Sequence, residues 1–360
     1  MFDFIPPSLY WPLYDSFLAI LIVSVAIHTF CYPNHLVRKQ SHLKLLALFF
    51  IVFACILMGF RPPVGGIGFG DTSNYHYYFL KVQNTGVQIK GDWFFYYIML
   101  IFSKISSDGN SSPFFFAIFV CYVGIMSWAL YRWFARDWLL PFAFMVFSAF
   151  FISYGVNGIR NGLATSFFLI GLSYYSKQRW VWLTLAFLTH SSMLLPISAV
   201  LLFSFFKHIN WYVYGWLFCL ILSISVPSIG NMISDIGLLD DKLSLYFDLD
   251  TNDAGMGISG FRVDFIFYSL LPIVVGLYYV YKLKFLDKLY LEILSIYITV
   301  NAFWLLVIRI PFSNRIVYLS WFMYGLVLVY PFIKSNPVRY QNRYVSVILL
   351  LLFIFNQVLF

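Results

Sequence analysis

Apolar stretches of about twenty residues, parted by short polar breaks, run the whole length of the chain. Each is long enough to cross a bilayer as a helix, at about 1.5 Å per residue against a hydrocarbon core of about 30 Å. The pattern predicts spans near 12–31, 43–60, 113–131, 138–154, 159–176, 211–229, 262–282, 289–308, 315–333 and 344–359. Two regions break the rhythm. Residues 93–105 (WFFYYIMLIFSKI) are too short to cross comfortably and strongly aromatic, which predicts an interfacial or re-entrant helix. Residues 180–206 are apolar but interrupted by Thr189-His190-Ser191-Ser192 and Pro196. They read either as a tight pair of short helices or as a broken re-entrant hairpin. The expected architecture is all-α: one polytopic membrane domain over residues 1–360, with about ten to twelve transmembrane helices. An outer loop with an interfacial helix is expected at 61–112 and a second outer loop at 230–261.

Composition supports this. The chain is 61% apolar and 22% aromatic, with 11% charged residues, where a soluble domain carries about 25%. No internal repeat or low-complexity tract is evident. The first apolar run follows a start without Lys or Arg (MFDFIPPSLYWPLYD), unlike a cleaved signal peptide. Cys31, Cys55, Cys121 and Cys219 fall inside or at the ends of apolar runs and read as small core residues, not a disulfide framework or metal site.

The formal charge of +8 would suit a nucleic-acid partner, but its distribution excludes that reading. With the N-terminus outside, the inner loops and adjoining helix ends hold Arg38, Lys39, Lys44, Arg132, Arg136, Lys177, Arg179, Lys207, Lys282, Lys284, Lys288, Lys334, Arg339 and Arg343. Those are 14 of the 23 basic residues, against three acidic ones, Asp137, Asp287 and Glu292. The positive charge is therefore a topology signal. It leaves five outer arginines that ignore the rule: Arg61, Arg160, Arg262, Arg309 and Arg315. An arginine within a membrane helix costs about 2.5–3.5 kcal/mol on insertion scales, less near an end. Single arginines of this kind serve as snorkelling anchors; five on one side point to an anionic ligand.

Four motifs carry the chemistry. In GFRPPVGGIGFGDTSNYHYYF (59–79), prolines and glycines after Arg61 stop the second span and admit a ligand close to the backbone. Asp71-Thr72 then opens a helix with Tyr75, Tyr78 and Phe79 on one face. Asp71 either accepts a proton from a sugar hydroxyl or caps that helix, and the aromatics suit both sugar stacking and an interfacial belt. In NGIRNGLA (157–164), Asn157, Arg160, Asn161 and Ala164 share one helix face at the start of a span. A helix N-terminus with a fork-shaped guanidinium suits phosphate, while Gly158 and Gly162 form a close-packing GxxxG. His190 sits in an apolar region where it needs a partner; it is either a phosphate contact, a proton shuttle or a satisfied buried histidine. Arg309-Ile-Pro-Phe-Ser-Asn314-Arg315 sets two arginines around a proline turn, either a diphosphate clamp or two anchors. In 230–261, Asp248, Asp250 and Asp253 resemble a calcium loop only faintly, with no closing glutamate; the loop is expected to be an outer lid or acceptor-binding loop. No phosphate-binding G-x-x-x-x-G-K, zinc H-E-x-x-H or nucleophile elbow occurs.

In this order the motifs resemble the EpsG family, among the Wzy-type polymerases of bacterial surface polysaccharides. That family shows an arginine, a short gap and DT-x-x-Y near the end of the second span, then N-x-x-RQ-x-x-A, H-x-S-A, and a late arginine pair with NR. Here they stand as Arg61 with Asp71-Thr72 and Tyr75, NGIRNGLA, HSSM, and Asn314-Arg315, over roughly residues 55–320. Asn161 replaces the family's glutamine and Met193 its alanine. The resemblance implies a GT-C-like membrane glycosyltransferase of the bacterial inner membrane, active at the periplasmic face. It implies lipid-linked sugars as substrates, no nucleotide sugar, no cofactor and no metal. Donor and acceptor would be polyprenyl-diphosphate oligosaccharides, with the lipid bilayer, a flippase and a chain-length regulator as partners. On this reading Arg160, Arg309 and Arg315 grip the diphosphate with His190 assisting. Asp71 orients or deprotonates the acceptor hydroxyl, held by Arg61. Tyr75, Asn157, Asn161 and Asn314 line the site. The competing classes are a flippase or other transporter, a glycan ligase, and a membrane acyltransferase. The last wants a buried histidine with a carboxylate, and His190 has no carboxylate near it in sequence.

Overall fold

A computed structural model of the protein describes residues 5–32, 40–65, 69–86, 91–106, 108–230, 232, 260–310, 312–335 and 340–359. Arg38, Lys39, Gly66, Gly68, Pro311, Arg339 and nearly all of loop 230–261, including Asp248, Asp250 and Asp253, lie outside the described residues.

The regular elements among the described residues are all helical. In chain order they are α1 (Tyr10–Cys31), α2 (Ser41–Gly59), α3 (Thr72–Thr85), α4 (Trp93–Ile105), α5 (Ser112–Phe134), α6 (Leu139–Val146), α7 (Ala149–Val156) and α8 (Ile159–Leu172). There follow α9 (Gln178–Thr189), α10 (Leu194–Phe205), α11 (Ile209–Ser225), α12 (Val263–Leu277), α13 (Lys288–Leu306), α14 (Asn314–Trp321), α15 (Tyr324–Lys334) and α16 (Gln341–Leu359). Seven helical stretches are long and apolar enough to span a membrane: Pro7–Cys31, Ser41–Gly59, Ser112–Asp137, Val263–Lys282, Lys288–Leu306, Asn314–Lys334 and Gln341–Val358. Leu139–Val146 and Phe150–Val156, bent by 72° at a short break, form either an eighth, broken span or a re-entrant loop. The chain is thus an all-α, multi-pass membrane protein.

The count falls short of ten because hydropathy registers an apolar helix whether or not it is long enough to cross. Ile159–Leu172, Ser191–Phe205 and Ile209–Ser225 are shorter helices. The expected span 138–154 is broken where Ser148, in extended conformation, accepts the Phe150 N–H and starts a new helix. The ambiguous 180–206 region forms two short helices on either side of an extended His190 (φ −154°, ψ 122°). α4 buries Phe95, Met99 and Ser103 on one face and exposes Trp93, Tyr97 and Ile101 on the other, the two-sidedness an interfacial helix requires.

The described residues divide into two compact units, Met1–Met193 with Asn336–Phe360, and Leu194–Ser335. In the first, α1 packs on α2 and α16, α2 on α5, α5 on α8, and α8 on α7 and α9, while α4 bridges α3 and α9. Close approach of α7 and α8 depends on the GxxxG pair. A Cβ on Gly162 would stand 2.4 Å from the Tyr154 carbonyl oxygen, and one on Gly158 3.2 Å from the Tyr154 ring.

In the second unit, α10, α11 and α14 pack against α13, and α12 against α15. Some of the polar groups inside these spans pair with one another, as a medium without water favours, while Ser295 Oγ, Trp304 Nε1 and the Tyr324 hydroxyl are buried with no hydrogen-bond partner among the described residues. The Trp216 indole donates to Asn301 Oδ1 (2.8 Å), Asn301 Nδ2 donates to Ser320 Oγ (3.3 Å), and the Trp321 indole donates to Ser269 Oγ (2.8 Å).

Candidate functional site

In the first unit the C-terminal ends of α2, α7 and α9 meet the N-terminal ends of α3, α4 and α8. Helix ends leave backbone groups without intrahelical partners, and the polar side chains gathered here answer that need.

Arg61 lies at the centre of the junction and is fully buried. Its Nη1 donates to the Met58 carbonyl (2.8 Å), its Nη2 to the Val156 carbonyl (2.9 Å) and its Nε to Thr72 Oγ1 (3.0 Å); its guanidinium lies 4.6 Å over the Phe115 ring. Met58 and Val156 are among the last carbonyls of α2 and α7, so one cation satisfies the negative ends of two helices. Burial pulls the Arg61 guanidinium down to about 9, which leaves it charged at neutral pH. The sequence reading has Arg61 touching substrate and holding Asp71; in the structure its guanidinium is fully buried and its hydrogen bonds go to helix-end carbonyls and Thr72.

Asp71 is instead fixed through its backbone. Its N–H donates to Asn157 Oδ1 (2.8 Å). Gly70, at φ +49°, lies so close beneath that amide that a Cβ would stand 2.2 Å from the same oxygen. The Asp71 carboxylate makes no cap hydrogen bond to α3; it accepts from Asn74 Nδ2 at 3.1 Å and stays partly exposed. Of the three aromatics assigned to one face of α3, Tyr75 and Phe79 are buried and Tyr78 is 41% exposed. The Tyr75 ring is flanked by Phe95 (centroids 5.9 Å) and the Arg160 guanidinium (5.8 Å), so both of its neighbours are protein.

The most densely bonded group at the junction is Asp92, a residue the sequence does not single out. It is 8% exposed and left-handed (φ 51°, ψ 37°), and follows Gly91, whose φ is 92°. Asparagine and aspartate tolerate this conformation better than other side-chain-bearing residues, and it aims the carboxylate back across the start of α4. Arg160 Nη1 donates to Oδ2 (2.5 Å), the Ser191 N–H donates to Oδ1 (2.9 Å), and His190 Nδ1 lies 3.2 Å from both oxygens. Burial alone would raise this carboxyl. The bond and charge of His190, the Arg160 cation and the Ser191 N–H overcome that and hold it well below the usual carboxylate range. Arg160 Nε is buried with no hydrogen-bond partner among the described residues. Asn161 Oδ1 accepts from Ser192 Oγ (3.1 Å), a second tie between α8 and the break at His190.

The first unit therefore brings together Asp71, Tyr75, Asn157, Arg160, Asn161 and His190, and adds Asp92. The signal for Asp92 was weak: Gly-Asp ahead of a short two-faced helix, nearly one hundred positions from His190.

Arg309, Asn314 and Arg315 belong to the second unit. The Arg309 guanidinium lies 4.8 Å over the Phe261 ring, and its Nε is buried without a hydrogen-bond partner among the described residues. The exposed Arg315 lies 5.4 Å over the Phe312 ring, and Asn314 Nδ2 donates to the Tyr318 hydroxyl (3.3 Å). Arg262, the remaining outer arginine, is paired with Asp264 and lies over the Phe265 ring.

No curated protein and no solved structure matches this chain. The family model described as the EpsG family matches residues 44–360, taking in the junction around Asp92 and the arginines of the second unit. Motifs, multi-pass helical architecture and that match agree, and the chain belongs to the EpsG family.

Proposed function

We propose that the protein is a membrane glycosyltransferase that lengthens a bacterial surface polysaccharide. It moves the growing glycan from one polyprenyl-diphosphate carrier onto the non-reducing end of another lipid-linked repeat unit, at the periplasmic face of the inner membrane. Membership in the family suggests a polysaccharide-polymerase-like role. The observation that carries the finer reading is the single junction that gathers Asp71, Asn157, Arg160, His190 and Asp92. It lies at the helix ends that the charge distribution along the chain assigns to the outside.

The leaving group, a diphosphate, brings its own negative charge, and preorganised cations are the largest aid to its departure. Arg160 holds Asp92 by Nη1, and its side chain, 20% exposed, offers its charge to a phosphate oxygen. Asp71, partly exposed and with its cap position unused, binds the acceptor hydroxyl. Asn157 fixes its backbone. Apolar helix faces admit the polyprenyl tails, and a flippase and a chain-length regulator complete the pathway.

The Asp92–His190 pair meets the histidine–carboxylate requirement of an acyltransferase as well. Family membership, together with the Arg160 cation beside Asp92, favours the polymerase. The test is the glycan of a strain lacking this protein, separated on a gel. A missing polymerase leaves surface glycan one repeat long. A missing flippase removes surface glycan altogether, and a missing ligase leaves polymer on its lipid carrier; either outcome would overturn the proposal.

A further inference from the structure

Asp92 has so far no chemical role in the transfer, yet it accepts more hydrogen bonds than any other carboxylate of the junction. Most of these come from residues His190 and Ser191, at the break between α9 and α10. A buried carboxylate opposite imidazole Nδ1 fixes the neutral ring in one tautomer, with the proton on Nδ1 and the lone pair on Nε2. It also stabilises the imidazolium that forms when Nε2 takes a proton. The Ser191 N–H holds the carboxylate from the adjoining backbone, and Arg160 holds it from α8. The carboxylate that faces the ring is thus held from two directions, beside a His190 whose backbone is extended.

Resting on the polymerase reading, we infer that His190 is the general base of the transfer and that Asp92 is its positioning residue, Asp71 binding the acceptor hydroxyl without taking its proton. The hydroxyl proton passes to His190 Nε2 as the acceptor oxygen forms its bond to the anomeric carbon. The bond from that carbon to the diphosphate oxygen breaks, and its electron pair leaves on the diphosphate, which needs no proton to depart. The imidazolium, stabilised by Asp92, then releases the proton to water. Arg160 links the two halves of the step: Nη1 grips the carboxylate that orients the base, and the partly exposed guanidinium carries the positive charge that the leaving group needs.

Asp92 stays ionised throughout the working pH range, so an acid limb in the activity profile reports the ring. The titratable and charged groups around His190 are Asp92 and Arg160, with Tyr75 on α3 and Tyr96 on α4, which interact with Arg160, and Tyr78 on α3, which interacts with Tyr96.

The experiment uses the purified full-length protein in liposomes and, as probe, the lipid-linked repeat extracted from a strain lacking it. Turnover is followed against pH. Asp92→Asn keeps the side chain's size and can still accept the Ser191 N–H. It should lower kcat about 10²–10⁴-fold with little change in KM, and should move the acid limb to lower pH by about one unit or more, because the ring loses its carboxylate. Asp92→Glu should recover part of the rate. A purely structural Asp92 would lower the folded yield and leave the acid limb of the remaining enzyme in place, which would overturn the inference. If Asp92→Asn does not fold, His190→Gln decides: retained turnover overturns the inference, and loss of turnover in a folded protein supports it. Should the wild-type protein itself fail to elongate the probe, the polymerase reading fails, and the role of Asp92 with it.

Discussion

The charged residues at the junction divide by what their atoms touch. Arg61 stood out in the sequence because it breaks the sidedness rule, but its partners are carbonyl oxygens of Met58 and Val156, which no sequence letter marks. Its fork ties helix ends, and a lysine cannot span three acceptors. Arg61→Lys should therefore destabilise the protein by about 3 kcal/mol, as for breaking a buried charged network, and cut its folded yield in detergent. The fraction that folds should elongate glycan at the normal rate per molecule. A well-folded variant with no turnover would return Arg61 to the substrate. Gly70 is set by both backbone and space. Gly70→Ala should cost about 1–3 kcal/mol through its positive φ, and should also dislodge Asn157 from the Asp71 N–H. Thermal unfolding in detergent measures the first effect, and single-repeat glycan in cells the second. The role of Asp71 could not be decided from its neighbours in sequence. The absence of a cap hydrogen bond to α3 is a fact of three-dimensional placement.

At the scale of elements, periodicity and length located the long spans well, since an apolar run of about twenty residues has few other fates. They failed where a polar residue restarts a helix within an apolar run. Ser148 divides α6 from α7, and His190 divides α9 from α10. The break at His190 borders the junction and brings the C-terminal end of α9 to Asp92. The GxxxG of α8 was legible and has the close-packing role its spacing suggests, against α7. Gly162→Leu should force α8 away from the Tyr154 carbonyl and destabilise the protein by about 1–3 kcal/mol or more, as overpacking does. Since Arg160 and Asn161 ride on the same helix, activity should fall with stability. A normal melting temperature for this variant would show that the two helices are not packed through this glycine.

Across the whole molecule, what could be read from the chain was its class, because hydropathy is a sum over many residues; the lysine and arginine distribution gives sidedness as an expectation. What could not be read was long-range pairing. Asp92 and His190 are nearly one hundred residues apart, and no local pattern announces that they touch. The sidedness itself can be checked. In a variant without Cys31, Cys55, Cys121 and Cys219, a single cysteine replacing Asn110 should react with an impermeant thiol reagent added outside intact cells. One replacing Ser176 should react only after lysis, and the opposite pattern would invert the assigned topology. The central claim is tested most directly by reconstitution. Purified protein in liposomes, given only the lipid-linked repeat, should produce glycans of many repeats and release one polyprenyl diphosphate for every bond formed. A lipid-linked repeat that stays one unit long, or growth that begins only when a nucleotide sugar is added, would contradict the account.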